Sequence, residues 1–445
     1  MGLVIDNVTI LSNNARNTVY HNSAIVIEDN IIKEICTHSG LKSKYRQFSH
    51  MDGQGRLLMP GWINTHMHLY STFARGMHLA QPPSNFLEIL ERLWWRLDKA
   101  LDEQAIYYSA IIPAISAVKH GVTAFIDHHA SPNAIDGSLD IISDALEKIG
   151  LRAVLCYEVS DRDGLDKARA GLAENERFIR RCQIEDERLF SGMIGLHASF
   201  TLSDNTLDHA GALGRTLGKG FHLHLAEGKD DDARLRYGIS TTERLNQHGI
   251  LGNQTLAAHA IHISQKDMNR LAETQTMVVH NPLSNMNNAV GRADIFSMLN
   301  SGIVTGLGTD GMSPFLSGDI KAAAFIHKHD LKNPRVGWQE IAQMVLKNNP
   351  KLFRRLSGQS LGVIEPGAVA DVILVDYFPP TPLTSENLWG HMLYGIIDSP
   401  VHTTIIDGKA VMEDGVISGI DEAHIAAKAR IAAQKVWQKI EENNI

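Results

Sequence analysis

Three cysteines in 445 residues are too few to carry an architecture. Cys36, Cys156 and Cys182 stand far apart, so they build neither a disulfide framework nor a CxxC metal knuckle. A reducing compartment, the cytoplasm, is the expected location. Positive charge is also in short supply. With 42 Lys and Arg against 50 Asp and Glu, the formal net charge is −8. That balance excludes nucleic acid as the main partner, because phosphate neutralisation needs a basic surface. No apolar run approaches the roughly 18 residues that span a bilayer, so no spanning helix and no membrane partner are expected. The opening MGLVIDNVTIL has no basic n-region and alternates like a strand, unlike a signal peptide. Asp6 stands where a myristoylation signal carries Ser or Thr. Fixed-period repeats and low-complexity segments are missing too. The chain therefore reads as a soluble protein whose partner is a small molecule.

The chain has two textures. Near the N-terminus LVIDNVTIL and AIVIEDNIIKEI are short strands, and near the other end ADVILVD and HTTIIDGKAVMEDGVI match them, with Asp-Gly turns at Asp407-Gly408 and Asp414-Gly415. Residues 1–58 and 364–445 are expected to form one small β-sandwich domain from both termini, with a helix after Asp421. Ile425, Ala429, Ala432, Val436 and Ile440 recur at helical spacing and give that helix its packing face. Between them, residues 59–363 alternate apolar strands with helical stretches, the pattern of a parallel α/β sheet. Strands are predicted at LLMPGWINTHMH, GVTAFIDHH, LRAVLCYEV, FSGMIGLHASFT, GFHLHLAE, QTLAAHAIHI, TMVVHNP and GIVTGLGTD. Eight strands over about 250 residues are the count and length of a (β/α)8 TIM barrel, whose active site lies at the C-terminal strand ends.

Nearly every one of these strands ends in His, Asp or Glu. Polar groups at the ends of buried strands are costly unless they bind something. The first strand ends in His66 and His68, which project to one side of a strand at i and i+2. Among 22 histidines one HxH pair arises easily by chance, so the reading turns on further ligands. The fifth strand offers His222, His224 and Glu227. Periodicity does not separate the two imidazoles; His224 is preferred as a ligand because it lies nearer the strand end, leaving His222 a supporting role. The sixth offers His259. The eighth delivers Asp310 between glycines, which in isolation reads as a turn aspartate. Three imidazoles and a carboxylate suit one divalent metal ion, Zn2+ first, with Fe2+ or Mn2+ as alternatives. Such an ion makes hydroxide available at neutral pH. Glu227 is placed to shuttle protons as general acid and base.

PGWINTHMH, HLHLAE, HNPLSNM, GLGTDG and GAVADVILVD together resemble the amidohydrolase superfamily, in its mononuclear deaminase and chlorohydrolase branch. LWWRLDKALDEQAIYYS, IDHHASP and HNPLSNMNNAVG are similar to SsnA-type aminohydrolases. The resemblance implies metal ligation by His66, His68, His224 and Asp310, proton transfer by Glu227, and orientation of the attacking water or oxyanion by His259. It implies a substrate-facing His197, and often a homodimer. Asn281, Ser284, Asn285 and His129 are further candidates for substrate contact. FSGMIGLHASFT contains no lysine for a bridged second metal, which favours a single ion. The loop with Asn287 and Asn288 departs from relatives that carry a lysine there, and leaves the substrate open.

The expected reaction is hydrolytic deamination of a small amino-heterocycle, purine- or pterin-like. Asp310 takes the proton of the water, Glu227 serves ring nitrogen and leaving amine, and His259 stabilises charge. The same site can expel chloride, a substituted amine, or a ring amide or amidine. A catalytically inactive scaffold is the third alternative; the presence of every predicted ligand and of Glu227 counts against it. Asp127, His128 and His129 read either as a hydrogen-bonded structural cluster or as part of the site. Trp94 and Trp95 read as core, and His327 and His329 as solvated surface.

Overall fold

The computed structural model describes residues 2–37, 41–185 and 188–442. Its centre is a parallel barrel of β1 (Trp62–Met67), β2 (Val122–His129), β3 (Arg152–Val159), β4 (Ile194–Ala198), β5 (Phe221–Leu225), β6 (Leu256–His259), β7 (Met277–His280) and β8 (Thr305–Leu307). Sequential strands pair in order from β1 to β8. The barrel closes where Met67 bridges Asp310 and where the amides of Thr309 and Asp310 both donate to the His66 carbonyl at 3.0 Å. Almost every strand residue is buried, because side chains facing outward meet helices and those facing inward fill the barrel. That is why these strands read as apolar runs and not as alternating ones.

The terminal segments form a nine-stranded mixed sheet. It buries Ile5, Ile25, Ile27 and Leu374 in one apolar cluster and Val4, Ala24, Val26 and Tyr45 in another. The run expected as one first strand, LLMPGWINTHMH, is two. Leu57–Pro60 pairs antiparallel with Val372–Val375 in the terminal sheet, and β1 begins at Trp62. The break has a steric cause. A Cβ at Gly61 would lie 2.2 Å from the Thr123 side chain, and the Gly61 amide donates to the Asp371 carbonyl. FSGMIGLHASFT is also divided: Phe190–Gly192 pairs with β3 on its own, and β4 follows.

Ties at both ends of the barrel hold the terminal segments to it. Arg152, at the start of β3, is buried and holds Asp371 at 3.1 Å and Asp407 at 3.3 Å. The last helix, Glu422–Glu442, buries Ile425, Ala429, Ala432, Val436 and Ile440, the face expected from the sequence. Its Trp437 Nε1 donates at 2.8 Å to the carbonyl of Phe73, in the turn that follows the two histidines of β1. His327, expected on the surface, is instead fully buried, with its Nε2 3.3 Å from His280 Nε2. Its helix Ser317–Asp330 turns that side toward the barrel, while His329 is exposed as expected. Among the described residues no helix is long and apolar enough to cross a membrane.

Candidate active site

The barrel brings His66, His68, His224, His259 and Asp310 to one point at the C-terminal strand ends. The nitrogens of His66, His224 and His259 and a carboxylate oxygen of Asp310 lie within 4.8 Å of one another. His68 Nε2 is 3.1 Å from both His224 Nε2 and Asp310 Oδ1. Each ring is held by its other nitrogen. His68 Nδ1 donates to the His128 carbonyl at 2.6 Å, and His224 Nδ1 to the His197 carbonyl at 2.9 Å. His259 Nδ1 meets Asn285 Oδ1 at 2.8 Å, and His66 Nδ1 meets His222 Nε2 at 2.8 Å. A ring that donates from Nδ1 keeps a lone pair on Nε2, so these contacts aim the lone pairs inward. His222 Nε2 thus lies against the Nδ1 nitrogen of His66, as a supporting imidazole would.

The donor set fits a divalent cation. His66 Nε2 and His259 Nε2 are buried with no hydrogen-bond partner among the described residues, a costly arrangement for polar atoms that bind nothing. The electrostatics point the same way. Burial pushes His66 down to about 4, which keeps its lone pair free. Burial works against charge at Asp310 too, but the neighbouring His66 and His68 imidazoles, the second 3.1 Å away, hold its carboxyl well below the usual range. Against its own burial, His68 is raised to about 9 by the Asp310 carboxylate.

Backbone geometry sharpens the cluster. Asp310 has φ 55°, His259 φ 72° and Ala226, beside Glu227, φ 46°. Left-handed conformations at non-glycine residues cost of order 1–3 kcal/mol each and persist where the surroundings impose them. Here they swing side chains at the ends of β5, β6 and β8 inward. Asp310 is no ordinary turn residue: its Oδ1 accepts from the Gly311 amide at 2.8 Å and its Oδ2 from Ser284 Oγ at 2.5 Å.

Glu227 stands beside this point. Its Oε2 is 3.4 Å from His259 Nε2, and its Oε1 accepts from Asn288 Nδ2 at 3.2 Å. Burial pushes its carboxyl up to about 7, with the His259 charge pulling the other way. Asn288, four residues after Ser284 along the turn of helix Pro282–Asn287, bonds both Ser284 and Glu227. The i,i+4 spacing of Ser284 and Asn288 was a readable signal that both face one site.

A cleft opens over the cluster, enclosing about 720 Å³ with its open mouth included. Tyr70, Phe86, Trp94, Trp95 and Phe200 line it, together with His197, Glu158 and Asp231. The two tryptophans, read from sequence as core, are half-buried cleft walls. His197 lies in the wall, its Nδ1 2.7 Å from Thr201 Oγ1. Ser284 also lines the cleft, whereas Asn281, Asn285 and His129 are buried outside its lining. Asn285 serves through His259. His129 Nε2 pairs with Ser131 Oγ at 3.0 Å, with Tyr70 6.0 Å from its ring. Asp127 accepts from the Leu69 amide at 2.7 Å, so it steadies the backbone that carries His68 and does not bond an imidazole. His128 stacks on His222, ring centroids 4.5 Å apart. Glu158 and Asp231 had no signal in their spacing; only closure of the barrel brings them here.

A closed α/β barrel with this donor cluster and a carboxylate beside it defines a metal-dependent hydrolase. The sequence model of the amidohydrolase family matches residues 57–411, and the chain belongs to that family. It is 31% identical to the 5-methylthioadenosine/S-adenosylhomocysteine deaminase of Syntrophomonas wolfei, over 99% of this chain and 100% of that one. It is 30% identical to the 5'-deoxyadenosine deaminase of Methanosarcina mazei, over 98% and 99%. Among solved structures, an adenosine deaminase from Xanthomonas campestris with bound zinc shares the fold at a TM-score of 0.82, covering 98% of each chain at 19% identity.

Proposed function

We propose that this enzyme deaminates an adenosine-like nucleoside, with one zinc ion held by His66, His68, His224 and Asp310. The observation that carries the reading is the Glu227 carboxylate, buried, oriented by Asn288 and 3.4 Å from His259 at the edge of the cluster. The similarity to deaminases of 5'-deoxyadenosine and methylthioadenosine supports the substrate class, and three nitrogens with one carboxylate oxygen suit zinc. When bound, the ion supplies acidification of a water molecule, toward a pKa of about 7.

The chain's own groups do the rest. The aromatic walls of the cleft take the flat ring, and its depth keeps bulk water from the reacting carbon. Asp310, fixed by Ser284 and the Gly311 amide, accepts the proton released as water adds to the amine-bearing carbon. Glu227, protonated at the outset, gives its proton to the adjacent ring nitrogen, takes up the proton of the added hydroxyl and passes that one to the amine; the proton held by Asp310 returns to Glu227 to close the cycle. The C–O bond forms, the C–N bond breaks, ammonia leaves and the ring retains a carbonyl. His259, held by Asn285, hydrogen-bonds the oxygen as charge develops on it.

Ammonia release by zinc-loaded protein tests the reading. Adenosine, 5'-deoxyadenosine and methylthioadenosine should be turned over in preference to amino-pterins and amino-triazines; silence on all three nucleosides removes the substrate class. The ligand assignment has its own test. His222→Ala should weaken zinc retention about 10- to 100-fold through the loss of support to His66, and His224→Ala should weaken it further. Metal content after dialysis against a chelator measures both, and the reverse order would make His222 the ligand.

A further inference from the structure

The cleft is acidic beyond what the reaction uses. Four carboxylates line it: Glu158, Glu227, Asp231 and Asp310. Three are engaged. Glu227 and Asp310 belong to the site, and Asp231 accepts from the amides of Phe200 and Ala226 at 3.0 and 2.8 Å. Glu158, near the end of β3, is different. Only 5% exposed, it faces the cleft, and its Oε2 has no hydrogen-bond partner. Its nearest polar neighbours are His128 Nδ1 at 3.4 Å, His197 Nε2 at 3.7 Å and His68 Nδ1 at 3.9 Å, the last already donating to a carbonyl.

Among the described residues no lysine or arginine lines the cleft. The guanidinium of Arg162 is near enough for its charge to favour the Glu158 carboxylate, but it is ion-paired with Asp98, lies 5.3 Å from the Trp95 ring centroid and leaves Glu158 Oε2 without a hydrogen-bond partner. A buried acceptor without a donor, in a wall without cations, is costly unless the substrate brings the donor.

We infer that Glu158 is a specificity-determining residue, which accepts a hydrogen bond from a neutral or cationic donor group of the substrate and turns anionic substrates away. Resting on the nucleoside reading above, this selects nucleosides with uncharged or ammonium-bearing substituents and rejects nucleoside phosphates. Like charges brought together in a desolvated site oppose binding strongly, so the discrimination is large.

The experiment uses three ligands that share adenine and differ in charge: 5'-amino-5'-deoxyadenosine, 5'-deoxyadenosine and adenosine 5'-monophosphate. Their affinities for the zinc-loaded protein are measured by calorimetry at about pH 8, with ammonia release and zinc content recorded in parallel. The wild-type protein should bind the amine tightest and the monophosphate weakest. Glu158→Gln should shrink the amine-to-phosphate ratio about tenfold or more, and Glu158→Asp, which keeps the charge, should preserve the order. An unchanged ratio in Glu158→Gln, or monophosphate bound as tightly as 5'-deoxyadenosine by the wild type, overturns the inference. Charge ordering without ammonia release would remove the deaminase reading and keep Glu158 in its role. Ammonia release from all three alike would do the opposite, and no binding by any of them overturns both.

Discussion

Glu227→Gln is expected to lower kcat about 10²- to 10⁴-fold while the protein keeps its full complement of metal. The substitution is nearly isosteric, and a glutamine oxygen still accepts from Asn288, so the cleft keeps its shape. What disappears is the proton. The reaction needs a group that gives a proton to the ring and another to the amine, and such a group works best with its pKa close to the working pH. Burial places Glu227 there, at about 7 against an ordinary 4.5. Steady-state ammonia release together with zinc content measures the effect. Near-normal turnover would remove Glu227 from proton transfer, and lost zinc would move it into the ligand set.

Arg152→Ala should destabilise the fold by about 3–5 kcal/mol, the range for removing one partner of a buried ion pair. Arg152 sits at the foot of β3, opposite the active site, and its guanidinium spans Asp371 and Asp407 from the terminal segments. Truncation leaves Asp371, itself buried, without its cation, and Asp371 also accepts from the Asp407 amide at 2.8 Å. Arg188→Ala is the matched control. Arg188 reaches the same Asp407 at 3.2 Å but is 61% exposed, so its loss should cost about 0–1 kcal/mol. Urea unfolding followed by circular dichroism compares the two. Equal midpoints for Arg152→Ala and wild type would show that this buried ion pair is not what holds the terminal segments to the barrel.

Most of the barrel was legible because a parallel strand buried on both faces leaves an apolar run, and nearly every run here carries a His, Asp or Glu at or just beyond its end. The five groups that converge all stood at those ends. What escaped the sequence depends on closure. Glu158 carries no mark that sets it apart from any other strand-end glutamate until β3 and β4 bring it beside His197. Trp94 and Trp95 have the spacing of a packed helix, and helical spacing says nothing about whether a cleft lies on the far side. His327 was misread for the converse reason, since a polar stretch at the end of a helix hides which of its residues turns inward. Asp310 looked like a turn aspartate, and it does hold a left-handed turn. The turn aims it at the histidines.

The seam of the barrel and its metal-binding point are the same place. Met67 bridges Asp310, and the carbonyl of His66 receives the amides of Thr309 and Asp310. During synthesis, His66 and His68 leave the ribosome some 240 residues before Asp310, and until then they are only a pair of imidazoles on an open strand. A closed ring is therefore what joins the two ends of the proposed ligand set, and an ion bound there would clamp the first strand to the last. Folding and metal loading would then be linked, since the ligand set proposed above is complete only in the closed barrel.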